Sequence, residues 1–171
     1  MGNFSADLLK NTLDNPARTY LWDVLIPKPV GGGDRDALQT RCQSVTFPGR
    51  SVGIIKVPYK QSAGIQLPGK LVYPHLWKAE FVENADGKIF DALYNWAQSL
   101  VHDITNVGVG DAFTKTDIYL SLSDVAAAEW RRIQMKGVFF SEVGDVDLSY
   151  DSEGIIKFVA TFAYDSWVKA A

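Results

Sequence analysis

The sequence predicts a mainly β fold: an antiparallel sandwich or barrel with one flanking α-helix and one long protruding hairpin. Three patterns predict it. Apolar and polar residues alternate with period two over several short stretches. One stretch, about residues 87–102, repeats instead with the helical period. Another, about residues 51–73, reads as two proline-punctuated arms around a turn.

Residues 1–15 form an arm in which Phe4, Leu8, Leu9 and Leu13 stand among polar spacers. A short helix over 4–13 would be broken by Asp14-Asn15-Pro16, and at that length it has to dock on something to persist in water. The first strand places Tyr20, Trp22, Val24 and Ile26 on one face and Leu21, Asp23 and Leu25 on the other, and Pro27 stops it. Residues 29–36, with Gly31-Gly32-Gly33, read as a loop. Arg41-Cys42-Gln43 alternates like a strand.

The hairpin reads as strands over 52–60 and 65–72 around a turn at Gln61-Ser62-Ala63-Gly64. Pro58 and Pro68 remove ladder donors, which confines such strands to edges or bulges. Ile55, Val57, Tyr59, Ile65 and Leu67 are nonetheless apolar. Exposed apolar edge strands template pairing with other chains. The pattern fits an arm built to meet a neighbour, and equally an ordinary hairpin folded over its own core.

Trp77, Ala79 and Phe81 then alternate with Lys78, Glu80 and Val82. In the helix, Ile89, Phe90, Leu93, Trp96, Ala97, Leu100 and Val101 share a face; Asp86 is placed to cap it and His102 to lie in its last turn. Residues 107–111 read as a second glycine loop. Ile118, Leu120 and Leu122 alternate with Tyr119, Ser121 and Ser123. Val146, Leu148 and Tyr150 alternate with acids as a strand would, and Asp151-Ser152-Glu153-Gly154 reads as a turn. In the last strand Ile156, Phe158, Ala160, Phe162 and Tyr164 face one way, and Lys157, Thr161 and Asp165 the other.

Composition narrows the function. A chain of 171 residues suits one domain spanning 1–171, and 47% apolar content fills a core without disulfide or metal. Cys42 is the single cysteine, which excludes an internal disulfide and a cysteine-based zinc site. Its expected role is a small buried hydrophobe. The net charge of −3 argues against a domain that grips nucleic acid through its phosphates. Residues 1–15 show no secretory leader, and no run is long enough to cross a membrane as a helix, so synthesis and folding in a cytoplasm are expected.

No chemistry-bearing motif emerges. His75 and His102 have no metal-binding spacing, and structural roles are expected for both. The acids from Asp145 to Asp151 superficially resemble a calcium loop. Tyr150 stands where that loop needs glycine, and Ile156 where it needs the bidentate glutamate. Gly108-Val109-Gly110 is no dinucleotide loop, and Walker and nucleophile-elbow motifs are absent. The expectation is a protein with no catalytic residue, no cofactor and no metal.

These residues together resemble the tail tube proteins of T4-like contractile-tailed bacteriophages, and the resemblance covers most of the length. It is carried in order by Asn15-Pro16-Ala17 leading into the aromatic first strand, by Val45-Thr46-Phe47-Pro48-Gly49, and by Ile54-Ile55-Lys56-Val57-Pro58. Leu76-Trp77-Lys78-Ala79-Glu80-Phe81-Val82 and the tryptophan-bearing helix follow. The most specific part is the pair Gly144-Asp145-Val146-Asp147-Leu148-Ser149-Tyr150-Asp151-Ser152 and Phe158-Val159-Ala160-Thr161-Phe162-Ala163-Tyr164-Asp165-Ser166-Trp167. The Gly31-Gly32-Gly33 loop departs from the pattern.

The resemblance implies a fold shared with the haemolysin-coregulated protein of type VI secretion. It implies six-membered rings stacked into a tube within a contractile sheath, in a virion assembled in the host bacterial cytoplasm. The implied partners are further copies of the chain, the sheath protein, the tape measure protein, the baseplate hub and the tail terminator, with no membrane. DNA would pass through the lumen without specific binding. The candidate inter-subunit residues are Phe4, Leu8, Leu9, Ile55, Val57, Tyr59, Lys60, Ile65 and Leu67. Asp23, Glu80, Thr161 and Asp165 would divide between the lumen and sheath sides. Two alternatives remain at this stage: the tube of a phage-derived injection machine moving protein effectors, and a monomeric barrel closed over an apolar ligand.

Overall fold

The structure is a computed structural model that describes residues 17–27, 34–59, 62–102, 107–108, 115–146, 148–151 and 153–170. The elements are β1 (Trp22–Leu25), α1 (Arg35–Thr40), β2 (Cys42–Val45), β3 (Ser51–Tyr59), β4 (Ser62–Val72), β5 (Leu76–Val82), α2 (Lys88–Leu100), β6 (Val101–His102), β7 (Val107–Gly108), β8 (Thr116–Ser123), β9 (Glu129–Val143), β10 (Lys157–Ala163) and β11 (Ser166–Ala170). The fold is mainly β and every strand pairing is antiparallel.

Seven strands follow the order β1-β8-β9-β10-β5-β2, with β11 also on β9. The long β9 joins two halves of this open, sandwich-like sheet. Its first part pairs with β8 and β11, and its last residues pair with β10. The strand turns between the halves at Gly137, whose φ of +64° suits glycine. A Cβ built there would run into the Asp165 carboxylate. The buried set along β9 changes parity at this point, from Ile133 and Met135 to Val138 and Phe140. Such bends let one strand serve two sheets.

Most of the period-two sets fill the core: Val24, Ile26, Trp77, Ala79, Phe81, Ile118, Leu120, Ala160, Phe162 and Tyr164 are buried, while Trp22, Leu122 and Phe158 are half-buried and Tyr20 and Ile156, at the outer ends of their sets, are exposed. Phe162 is its centre, with ring centroids 5.4 Å from both Trp77 and Trp96 and 5.9 Å from Phe140. Trp96 arrives on α2, which also buries Ile89, Ala92 and Leu93.

Several local expectations are corrected. Asp86 does not cap α2. Gly87 holds the cap position with φ +69°, and the Glu83 carboxylate at the end of β5 accepts from the amides of Ile89 (3.2 Å) and Phe90 (2.7 Å). Asp86 instead pairs with Lys88 at 3.3 Å. The helix stops at Leu100 because Val101 turns extended, so His102 lies in β6 and pairs with Val107 of β7. Residues 109–111 of the second glycine loop lie outside the described residues.

Residues 35 and 36, read as loop, open α1 instead. The Asp34 side chain accepts from the Ala37 amide at 3.1 Å, and Leu38 is buried. The remainder of that loop, and the helix expected over 4–13, lie outside the described residues. The strand expected through Val146, Leu148 and Tyr150 is absent. Val146 is half-buried, but Leu148 and Tyr150 point to solvent with no core facing them among the described residues. Thr161, expected on an open face, is buried, next to a shift in the β10–β9 register.

Candidate functional site, an assembly surface

Among the described residues, β3 and β4 pair only with each other and pack extensively on no other strand or helix. Their register sets Ile55 opposite Leu67 and Val57 opposite Ile65, while Lys56 faces Gln66 on the other side of the ribbon. The four apolar side chains therefore form one patch. They remain 53%, 47%, 40% and 59% exposed in that order, so about half of this patch stays open to solvent. Tyr59 is exposed beyond them. Register shifts flank Gly53 and Pro58, so proline is tolerated and the ladder resumes beyond it. The turn is tighter than expected: Ser62, Ala63 and Gly64, read as turn, already belong to β4, and Ser62 pairs with Tyr59. Of the sequence-derived surface residues, the structure thus gathers Ile55, Val57, Tyr59, Ile65 and Leu67 on one ribbon. Phe4, Leu8, Leu9 and Lys60 lie outside the described residues.

The ribbon is free along its length and held at its root. Trp167, in β11, donates its indole N–H to the Gly49 carbonyl at 3.1 Å. Its ring meets Phe47 and Tyr73 edge-on at 6.5 and 6.4 Å, and the Arg50 guanidinium lies 5.0 Å above it. On the outgoing side His75, at φ +60°, sets Nδ1 3.0 Å from the Tyr164 carbonyl, between the rings of Tyr73 and Tyr164. Both feet are therefore fixed to the β10–β11 segment. Sequence reasoning missed this clamp. Its signal was available as aromatic residues bracketing both ends of the hairpin.

Two further surfaces lack partners among the described residues. β1 and β2 end the strand order and pair on one side only, and between them lies a cleft of about 330 Å³ lined by Trp22, Val45, Phe47, Leu122 and Trp130. After β9, the loop before β10 exposes Leu148, Tyr150, Ile155 and Ile156 around a recess of about 470 Å³. The acids expected to face away from the core differ in their surroundings. Asp23 is exposed on β1, Glu80 pairs with Lys157 at 3.1 Å, and Asp165 pairs with Lys115 at 3.2 Å.

Burial pushes the Cys42 thiol up to about 12, with Asp23 and Glu80 adding to the shift, so the thiolate nucleophile is suppressed. Among the described residues no three His, Cys, Asp or Glu side chains gather as a metal set. No described helix is long and apolar enough to cross a membrane.

Comparison with known proteins agrees with this geometry. The family described as phage tail tube protein matches residues 17–170. Among solved structures, the chain is similar to a protein in the sheath–tube complex of an extracellular contractile injection system (PVC) in its extended state. That likeness has a TM-score of 0.65 and 16% identity over 98% of both chains. A protein in the sheath/tube terminator of the same system gives 0.67 and 17%, over 93% of this chain and 99% of the other. The tube-terminating cap of the anti-feeding prophage gives 0.66 and 16%, over 92% and 93%. A search of curated protein sequences finds no match.

Proposed function

Because the chain belongs to the phage tail tube protein family, we propose that it is a structural, non-enzymatic virion protein whose copies form six-membered rings stacked into a tail tube. The tube is the conduit for DNA ejection inside a contractile sheath. The observation that carries this reading is the hairpin Ser51–Val72, which holds an apolar patch clear of its own body on a fixed root. A monomer gains nothing from such a patch, whereas a repeating assembly buries it. The singly paired strands β1, β2 and β11 offer edges on which a neighbour can continue the sheet. Ile55, Val57, Tyr59, Lys60, Ile65 and Leu67, with Phe4, Leu8 and Leu9 of the N-terminal arm, form the inter-subunit contacts in this reading.

Transport asks the wall not to hold its cargo. A chain with a net charge of −3 has no basic excess with which to displace counterions from DNA, so DNA slides through without specific contacts. The expected partners are the sheath protein, the tape measure protein, the baseplate hub and the tail terminator. The similar PVC proteins come from complexes described as sheath–tube and tube terminator, which supports the first and last of these. The same likeness supports a second reading, a tube in an injection machine that moves protein effectors.

Electron microscopy of the purified protein, with sedimentation velocity alongside, tests the assembly. Rings with six-fold symmetry or tubes are expected. A species that stays monomeric at high concentration overturns it, and a lumen lined by lysine and arginine overturns the sliding account.

A further inference from the structure

The cleft between β1 and β2 opens at the point where the chain enters the sheet. Ala17, Arg18 and Thr19 form its lip, ahead of Trp22, Val45 and Trp130 in its walls. That lip is fixed in place. The Arg18 carbonyl accepts from the Leu21 amide at 3.4 Å, and the Leu21 carbonyl accepts from the Ser123 amide, at the end of β8, at 3.0 Å. Residues 1–16, which lie outside the described residues, therefore depart from a fixed point on the rim of an apolar recess. Leu13 is their large apolar side chain nearest the lip, four residues before Ala17. Four residues span at most about 14 Å, so Leu13 stays within that distance of the rim. The strands beside the cleft are open as well: among the described residues β1 pairs only with β8, and β2 only with β5.

We infer that in the free subunit the chain's own N-terminal segment occupies this cleft, with Leu13 seated against Trp22 and Trp130, and that it has to leave before a neighbour can continue the sheet at β1 or β2. The seat stands apart from the tube reading above; its role as a brake on assembly rests on that reading. Four physical points favour the chain's own segment as occupant. The tether is short, so the effective concentration of Leu13 at the cleft is of millimolar order, well above that of any neighbour in dilute solution. The cleft, about 330 Å³, is at the small end of pocket sizes and suits one or two side chains rather than a folded partner. A segment as short as 4–13 does not hold a helix in water unless it docks. Charge agrees: Asp14, next to Leu13, meets a rim that carries Arg18 and the Arg131 guanidinium, which lies 5.2 Å above the Trp130 ring. Seated there, the segment fills the space through which a neighbouring strand would approach either free edge, so the two exclude each other.

Leu13→Ser in the full chain tests both halves. In dilute solution, below the concentration that polymerises, acrylamide quenching of tryptophan fluorescence is expected to rise, because Trp22 and Trp130 lose their cover while Trp77 and Trp96 stay sealed in the core. Leu13→Met, which keeps an apolar side chain of similar size, is expected to quench like wild type. So is Leu9→Ser, which alters the same segment eight residues from Ala17. Far-UV circular dichroism checks the fold, and Leu13→Ala carries the comparison if the serine variant unfolds. The protein concentration at which tubes form is then expected to fall about tenfold for Leu13→Ser, the factor by which a cleft filled in about nine copies of ten holds back the competent subunit. Unchanged quenching in the folded variant overturns the seat. Tubes that need as much protein as wild type, or more, overturn the brake, since the segment would then be neutral or would support the tube. A wild type that forms neither rings nor tubes removes the tube reading and the brake with it, while the quenching comparison still decides the seat.

Discussion

Replacing Val57 with Glu and Ile65 with Lys places opposite charges at directly opposed positions of the hairpin. A cross-strand ion pair preserves the ribbon while destroying its apolar patch. The cost to assembly follows from exposure. Ile55, Val57, Ile65 and Leu67 each keep between 40% and 59% of their surface in water, so together they offer about two full side chains for burial. At roughly 1.5–3 kcal/mol for each, a docked hairpin contributes about 3–6 kcal/mol per contact. Since 1.4 kcal/mol is a factor of ten, losing it raises the concentration needed for polymerisation by about 10²–10⁴. The subunit itself loses less, within about 1 kcal/mol, because these side chains are half exposed and meet chiefly one another across the ribbon. Sedimentation velocity and electron microscopy read the assembly, and urea denaturation reads the fold. Tubes of ordinary length at the wild-type concentration would refute the reasoning, as would a variant that no longer folds.

Three other perturbations probe the scaffold. Gly137→Ala should cost about 2–3 kcal/mol in urea denaturation, combining the φ of +64° with displacement of the Asp165 carboxylate from Lys115; in an Asp165→Ala background the cost should fall to about 1 kcal/mol. Equal costs in both backgrounds would exclude the collision. Glu83→Ala should lower stability by about 1–2 kcal/mol, since two amides at the start of α2 lose their acceptor, and hydrogen exchange at Ile89 and Phe90 should quicken. Cys42 should resist iodoacetamide at pH 8 in the folded protein and react once unfolded. Its folded value lies above the ordinary 9.0, so its contribution is complete below pH 9. That contribution drains as pH climbs from 9 toward 12, because the unfolded thiol ionises first. A Cys42→Ala variant should lose that part of the alkaline decline in stability.

Where one physical rule decided an element, the sequence was legible. Trp77, Ala79 and Phe81 had to share a face because strands alternate, and Ile89, Leu93 and Trp96 because helices repeat every 3.6 residues; both sets are buried. The hairpin was legible through its prolines and its uncovered apolar residues. Failures came where the three-dimensional surroundings overrode the local pattern. Asp86 has the chemistry of a cap, yet Glu83 reached the amides from the preceding strand. Val146, Leu148 and Tyr150 alternate like a strand, but no facing sheet rewards the pattern and they remain in a loop. β9, the longest strand, escaped notice because the bend at Gly137 breaks its alternation midway.

By itself the sequence determined the β class, the flanking helix, the hairpin and its apolar character, since each follows from local periodicity or from what proline forbids. It also placed the chain among tail tube proteins, through motifs spread in order along its length. Only the tertiary structure decided that the hairpin stands away from the body, that Trp167 clamps its root from over a hundred residues downstream, and that the loop before β10 is bare. Covered and uncovered apolar strands look alike in sequence. Whether a side chain is buried depends on what the rest of the chain brings opposite it, and that is a property of the whole fold.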